Sequence, residues 1–305
     1  MFFNPNILTV QMKGKRVIVT GGAGFIGSNL VKTIVEDNEV LVIDNMHTGS
    51  LDNLRDSESE NLKVINDDVK NINMTGYDAD IVFHLGFYSA SPMYRNNPFL
   101  VSEVVSGMLS VLEFAKENES KVVFSSTSSI YNGIEPPHRE SVIPKVTDYY
   151  TEARIACERL GQLYSDLHGL DVAAMRFFSV YGANLATQFL WSMKKDEPPV
   201  IYGDGTQRRD FVFVTDVVDA LVKATSISGF EVFNVGFGKN YSLNELVEKL
   251  NRILRKNIKP RYISMPVKNY VHETLADMTK VKNKLKFQPK IDLDTGLNLI
   301  NEYYQ

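Results

Sequence analysis

The chain has 305 residues, 44% of them hydrophobic and 23% charged, about two domains' worth by the usual ~150-residue measure and enough to bury a core without disulfides or metals. Lys and Arg total 33 against 37 Asp and Glu, a net charge of -4, which argues against a nucleic-acid-coating surface while leaving room for a local phosphate site. The single cysteine, Cys157, excludes an intramolecular disulfide and a cysteine-based zinc site, and it fits a reducing compartment, most simply the cytoplasm. No apolar run reaches the ~18 residues of a membrane-crossing helix, so no membrane partner is expected. Residues 1–11 lack the pattern of a signal peptide and read as a short N-terminal extension, with Met12 an alternative start.

Short β-branched runs alternate with helical patterns, the signature of βαβ units feeding a parallel sheet. Residues 16–20 read as the first strand and 24–37 as a helix with Phe25, Ile26, Leu30, Ile34 and Val35 on one face. Residues 40–43, 64–65, 81–84, 122–125 and 172–175 read as further buried strands, with long helices at 98–117 and 149–168 between them. After Arg176 the rhythm loosens: Gly182, Pro198, Pro199, Gly203 and Gly205 mark loops before 211–214 leads into another helix. Residues 232–235 return to strand, and Ser242 is an N-cap for a helix to Leu254. The pattern predicts an α/β fold: a Rossmann-type doubly wound parallel sheet from residues 12–178 and 211–237, with a smaller mixed α/β lobe from 179–210 and 238–305.

Gly21-Gly22-Ala23-Gly24-Phe25-Ile26-Gly27 lies between the first strand and the first helix. Gly21 permits the tight turn, Gly24 lets the backbone approach a pyrophosphate, and Gly27 lets helix pack on strand. Phe25 and Ile26 open a helix whose positive end faces the phosphates. Asp44, 17 residues after Gly27, ends the second strand where a carboxylate accepts bonds from both adenosine ribose hydroxyls and repels a 2′-phosphate, so NAD is expected rather than NADP. Asn45 follows it in the same turn. Asp68 and Val69, after the third strand, are assigned to the adenine edge with Asp67 as a competitor, and Leu85 closes the fourth strand beside the cofactor.

The segments 20–27, 44–45, 82–85, 124–127 and 203–211 occur in an order that resembles the extended short-chain dehydrogenase/reductases, in particular the nucleotide-sugar epimerases typified by UDP-glucose 4-epimerase. The resemblance covers the chain from Met12 onward. It implies that Thr127 aligns a sugar hydroxyl and that Tyr150, 23 residues later, is the base. A phenol deprotonates only near ~10 in water, so it needs a cation beside it. The family supplies a lysine; Arg154 stands there in this chain, implied to keep the charge and to meet the nicotinamide ribose, although a planar fork is not interchangeable with an ammonium. On that basis lysine at 154 is expected to retain or increase activity. Tyr149 is assigned to packing or substrate lining.

The resemblance further implies that Ser179 and Arg209 meet the nucleotide-sugar phosphates, with Lys268 a second basic contact, while Arg208 faces solvent. Ser179 and Val104 stand where the family usually carries asparagine. Ser89, in the loop after the fourth strand, is the first choice for a hexose hydroxyl. The five histidines show no metal-ligand spacing and no metal is expected; His84, inside an apolar strand, reads as a satisfied core residue.

Related dehydratases and decarboxylases place a carboxylate just after the catalytic hydroxyl, whereas Ser128 and Ser129 follow Thr127 here. Epimerisation is therefore expected: Tyr150 takes the 4-hydroxyl proton as NAD accepts hydride from C4, and the keto sugar turns over before hydride returns. UDP-glucose and UDP-galactose are the implied pair. An NAD-binding module without turnover and a nucleotide-keto-sugar reductase remain alternatives. A homodimer is implied through the helices at 98–117 and 149–168, with Leu100, Val104, Met108 and Leu112 as its apolar stripe.

Overall fold

In a computed structural model, which describes residues 12–74, 76–146, 148–182, 185–265 and 271–304, the apolar runs form one seven-stranded parallel sheet. Its strands are β1 (Arg16–Thr20), β2 (Glu39–Ile43), β3 (Leu62–Ile65), β4 (Ile81–His84), β5 (Lys121–Thr127), β6 (Val172–Phe177) and β10 (Phe230–Val235). Their order, β10-β6-β5-β4-β1-β2-β3, reverses direction between β1 and β4. In such a sheet the crevice beyond the carboxyl ends of those two strands is where a ligand binds.

Helices cover both faces. On one side α1 (Phe25–Ile34) and α6 (Val214–Ala224) bury Leu30, Val31, Val217 and Leu221 against Val17, Val19 and Phe233. On the other, α3 (Leu100–Asn118) and α4 (Tyr149–His168) bury Met108, Val111, Leu112, Ala153 and Cys157 against Ile18, Val82 and Phe124, with the short α2 (Ser91–Asn96) contributing Tyr94. Double coverage explains why residues 17–19 of β1 and 81–83 of β4 are consecutively apolar rather than alternating. The α4 helix starts where Asp148 accepts the N–H of Thr151 and Thr151 returns a bond to the Asp148 N–H.

The smaller lobe is built on a three-stranded sheet of β7 (Ser179–Tyr181), β9 (Arg208–Phe213) and β11 (Asn240–Ser242), and a parallel pair of β8 (Val200–Tyr202) with β12 (Arg261–Ile263). With α5 (Leu185–Lys194), α7 (Leu243–Leu254) and α9 (Leu293–Tyr303) it encloses its own core, including Phe189, Leu190, Phe211, Leu246 and Leu297. The expected N-cap of α7 is present: Ser242 accepts the N–H of Glu245 in a reciprocal capping box.

Three expectations need correction. The boundary at 211 falls inside β9, whose strand pairing is within the lobe although its Val212 already packs into the core of the Rossmann layer. Within 238–305, α8 (Thr279–Leu285) returns to that layer too, with Val281, Leu285 and Phe287 in its core. The stripe Leu100, Val104, Met108 and Leu112 is buried against the sheet and is not available to a second subunit. Helical periodicity identifies an apolar face but not what covers it.

Candidate active site

The crevice at the β1/β4 switch point is a cleft of about 660 Å³. Gly21, with φ of +69°, makes the turn out of β1 and lies so close to the next strand's exit that a Cβ would fall 2.6 Å from the Gly86 Cα and amide nitrogen. A Cβ on Gly27 would lie 2.1 Å from the Gly21 carbonyl oxygen. The α1 N-terminus begins at Gly24 with no side-chain cap and no acidic residue in its first turn, leaving its donors and positive dipole end for an anion. Asp44 accepts the N–H of Ala23 at 3.0 Å through Oδ2 and that of Met46 at 2.9 Å through Oδ1. A carboxylate offers about four lone-pair sites, so two remain for ribose hydroxyls. These residues fit a dinucleotide: a close-approach turn, a helix end for the pyrophosphate and a fixed carboxylate for a ribose.

Gly21, Gly24, Phe25, Ile26, Gly27, Asp44, Asn45, Asp68, Val69 and Leu85 all line this cleft, and so does Asp67. Thr127, Tyr150, Arg154, Ser89 and Ser179 line it as well. Arg209 does not. Its guanidinium donates to the carbonyls of Arg208, Val271 and His272, while Arg208, expected in solvent, is held by Asn240 and by Glu245 at 3.0 Å. Lys268 lies outside the described residues. Tyr149 is 52% exposed and not part of the cleft wall, so neither role assigned to it is met.

Thr127 is buried at the end of β5, where its Oγ1 accepts the N–H of Ser129 and its own proton stays available to donate. Tyr150, half-buried on the first turn of α4, has the Arg154 guanidinium 4.9 Å from its ring centroid. Arg154 is itself buried; it donates to the Tyr88 carbonyl at 3.0 Å and the Tyr94 hydroxyl at 3.4 Å. Burial opposes its charge, but the Tyr150 and Tyr94 oxygens outweigh that and hold its pKa above the ordinary value. Its hydrogen bonds thus go to the substrate loop, an arrangement the resemblance did not suggest.

His84 is not the satisfied core residue expected. Its Nδ1 lies 2.6 Å from the Thr20 hydroxyl, whose oxygen accepts the Gly86 N–H, but its buried Nε2 has no hydrogen-bond partner among the described residues. Burial, aided by the Arg154 charge, pushes the imidazole down to about 3, so it is neutral at physiological pH.

Behind the site, sequence reasoning missed a buried support. Glu158, one turn along α4 from Arg154, accepts a bidentate bond from Arg176 on β6 at 2.9 and 2.6 Å and the Ser126 hydroxyl at 2.5 Å. Arg176 continues to the Tyr131 hydroxyl at 2.7 Å. The network ties α4, which carries Tyr150, to the strand end that carries Thr127. Glu158 and Arg176 are 18 residues apart on different elements, so no local spacing signalled the pair. Among the described residues no cluster of His, Cys, Asp and Glu is arranged to hold a metal ion, and no helix is long and apolar enough to cross a membrane.

The sequence profile of the NAD dependent epimerase/dehydratase family matches residues 17–236. Among curated proteins, a UDP-glucuronate 4-epimerase of Thermodesulfobacterium geofontis is 32% identical, the match covering 92% of this chain and 93% of that one. UDP-glucuronic acid decarboxylase 1 of Arabidopsis thaliana is 31% identical over 94% of this chain and 69% of its own. The structure of a UDP-N-acetylglucosamine 4-epimerase from Methanobrevibacter ruminantium, in complex with UDP-N-acetylmuramic acid, superposes with a TM-score of 0.91 at 31% identity over 96% and 99% of the two chains. With a Rossmann-like sheet, a glycine turn and Asp44 in one cleft, and a family match over most of its length, the chain belongs to the NAD dependent epimerase/dehydratase family and uses NAD.

Proposed function

We propose that the protein is a UDP-hexose 4-epimerase that interconverts UDP-glucose and UDP-galactose. The observation that carries the reading is that Thr127 and Tyr150 line the same cleft as the glycine turn and Asp44, so a sugar set against the two hydroxyls lies beside the cofactor site. When bound, NAD supplies the reversible hydride acceptor for one sugar carbon. Tyr150 takes the proton of the hydroxyl on that carbon, and Thr127 donates to the same oxygen and fixes its direction. Ser89 and Ser179 meet the sugar and the first phosphate from the cleft wall. Arg209 exchanges its carbonyl partners at Val271 and His272 for pyrophosphate oxygens, a bidentate task suited to a guanidinium. Lys268 is its proposed companion. The single cysteine supports a cytoplasmic assignment.

Two features favour epimerisation of a neutral hexose. Ser128 and Ser129 follow Thr127, so the hydroxyl is not followed by the carboxylate expected for dehydration or decarboxylation. Among the described cleft residues Arg154 is the only Lys or Arg, and it is engaged with Tyr88 and Tyr94, which leaves the acid group of a glucuronate without a cation. Purified protein supplied separately with UDP-glucose, UDP-galactose, UDP-glucuronate and UDP-N-acetylglucosamine is expected to interconvert the first two without net consumption of cofactor. Carbon dioxide released from UDP-glucuronate, stoichiometric oxidation of NADH, or no turnover of any of the four would each contradict the proposal.

A further inference from the structure

The loop after β4 carries an aromatic residue at a position the chemistry above does not use. The Phe87 ring centroid is 4.1 Å from that of the His84 imidazole, the two planes tilted by 49°, and 4.2 Å from the Arg154 guanidinium carbon. The guanidinium in turn is 4.9 Å from the centroid of Tyr150. It therefore contacts two rings, with its N–H groups donating to the Tyr88 carbonyl and the Tyr94 hydroxyl, and the Tyr94 hydroxyl itself donates to the same carbonyl at 3.0 Å. The Tyr94 ring meets the edge of Tyr150 at 5.4 Å. Among the described residues, every hydrogen bond and ring contact of the guanidinium other than that with Tyr150 comes from residues 87–94.

We propose that Phe87 is a positioning residue: in contact with both His84 and Arg154, it holds the guanidinium against the face of Tyr150 and so makes the cation beside the base depend on the substrate loop. The inference rests on the reading of Tyr150 as the base. A flat, weakly hydrated guanidinium can stack on aromatic faces while its edge donates in plane, whereas an ammonium on a flexible stem cannot do both. The neutral state of His84 belongs to the same arrangement, since an imidazolium would set a second cation near Arg154. Lysine at 154, which on the sequence alone should retain or increase activity, is by this geometry a loss: it keeps the charge and forfeits the stack.

The test compares the wild-type protein with Phe87→Leu, which keeps bulk without a π face, and Phe87→Tyr, which keeps the face. Phe87→Leu is expected to lower kcat about tenfold with KM for the UDP-sugar and NAD affinity unchanged, and Phe87→Tyr to restore kcat. In an Arg154→Lys background Phe87→Leu should lower kcat no further, because the partner of the stack is already gone. A loss expressed in KM, absence of rescue by tyrosine, or additive effects of the two substitutions would overturn the proposal. Nitrogen-15 NMR of the arginine side chains reads the contact without turnover: the Arg154 Nε–H signal should be ring-current shifted in the wild type and in Phe87→Tyr, and move toward the ordinary range in Phe87→Leu. An unmoved signal in Phe87→Leu also overturns it. Tyr150→Phe, run in parallel, isolates the reading of the base, since full activity there refutes that reading whatever the Phe87 variants do.

Discussion

Gly27→Ala puts the dinucleotide turn under a defined strain. The added Cβ would lie 2.1 Å from the Gly21 carbonyl oxygen and 2.7 Å from the Gly22 Cα, both backbone atoms that cannot rotate away. Relief requires the α1 helix and the β1 turn to separate by more than about 1 Å, given an ordinary carbon contact of roughly 3.5 Å. Overpacking of this kind costs about 1–3 kcal/mol. Because the obstacles are backbone and Leu30, Val31 and Ile34 on the same helix are buried, the upper end applies. Alanine's helix-propensity advantage of about 1 kcal/mol offsets part of it. A net loss of about 2 kcal/mol lowers Tm by roughly 3 °C in a chain of this size. Moving the helix end also moves the amides that face the pyrophosphate, so NAD affinity should fall at least about tenfold, or about 1.4 kcal/mol. Gly24→Ala is the control, since its Cβ would meet only the Gly21 oxygen at 3.2 Å. It should weaken NAD binding comparably while changing stability by less than about 1 kcal/mol. Thermal melting of the apo-proteins and calorimetric titration with NAD make both comparisons. Gly27→Ala with wild-type Tm and wild-type NAD affinity would refute the reasoning.

With Asp44 at a ribose site and no Lys or Arg among the described cleft residues besides Arg154, NAD should bind at least about tenfold tighter than NADP, and equal affinities in parallel titrations would contradict the assignment. The His84 imidazole is held down to about 3 from an ordinary 6.5, so the unfolded chain binds a proton that the folded chain refuses between those values. Its contribution to stability is full above pH 6.5 and is lost as pH falls toward 3, with a slope of up to about 1.4 kcal/mol per pH unit. Denaturant unfolding between pH 7.5 and 4.5 should therefore show a shallower decline for His84→Asn than for the wild type; parallel slopes would dispose of this account. A homodimer through α4 would have to use Leu163 and Leu167, one turn apart and 48% and 66% exposed, in place of the buried stripe. Sedimentation at micromolar concentration should give a dimer that Leu167→Glu weakens, and a wild-type monomer would rule the dimer out.

Local signals made much of this molecule legible in the sequence. The glycine turn, Asp44 at the end of its strand and the extent of α4 depend on residues within a few positions of one another, and each is found where local chemistry puts it. What escaped depends on distant partners. The direction of Arg154 is decided by Tyr88 and Tyr94, 66 and 60 residues away, and nothing near Arg154 announces a carbonyl or a phenol from that loop. The pairing of β9 inside the lobe, the bonds of Arg209 to Val271 and His272, and the salt bridge of Glu158 with Arg176 have the same origin. The Leu100 to Leu112 stripe failed differently: its periodicity was real, but the sheet rather than a second subunit covers it.

The central claim, that Tyr150 is the base of a reaction run in the NAD cleft, is tested most directly by Tyr150→Phe, with NAD binding and the interconversion of UDP-glucose and UDP-galactose measured on the same preparation. Only one hydroxyl is removed and the ring beside Arg154 remains. The variant should therefore bind NAD as the wild type does and lose turnover by at least about 10²-fold, the usual share of a positioned base. Undiminished turnover at neutral pH with NAD bound would contradict the claim.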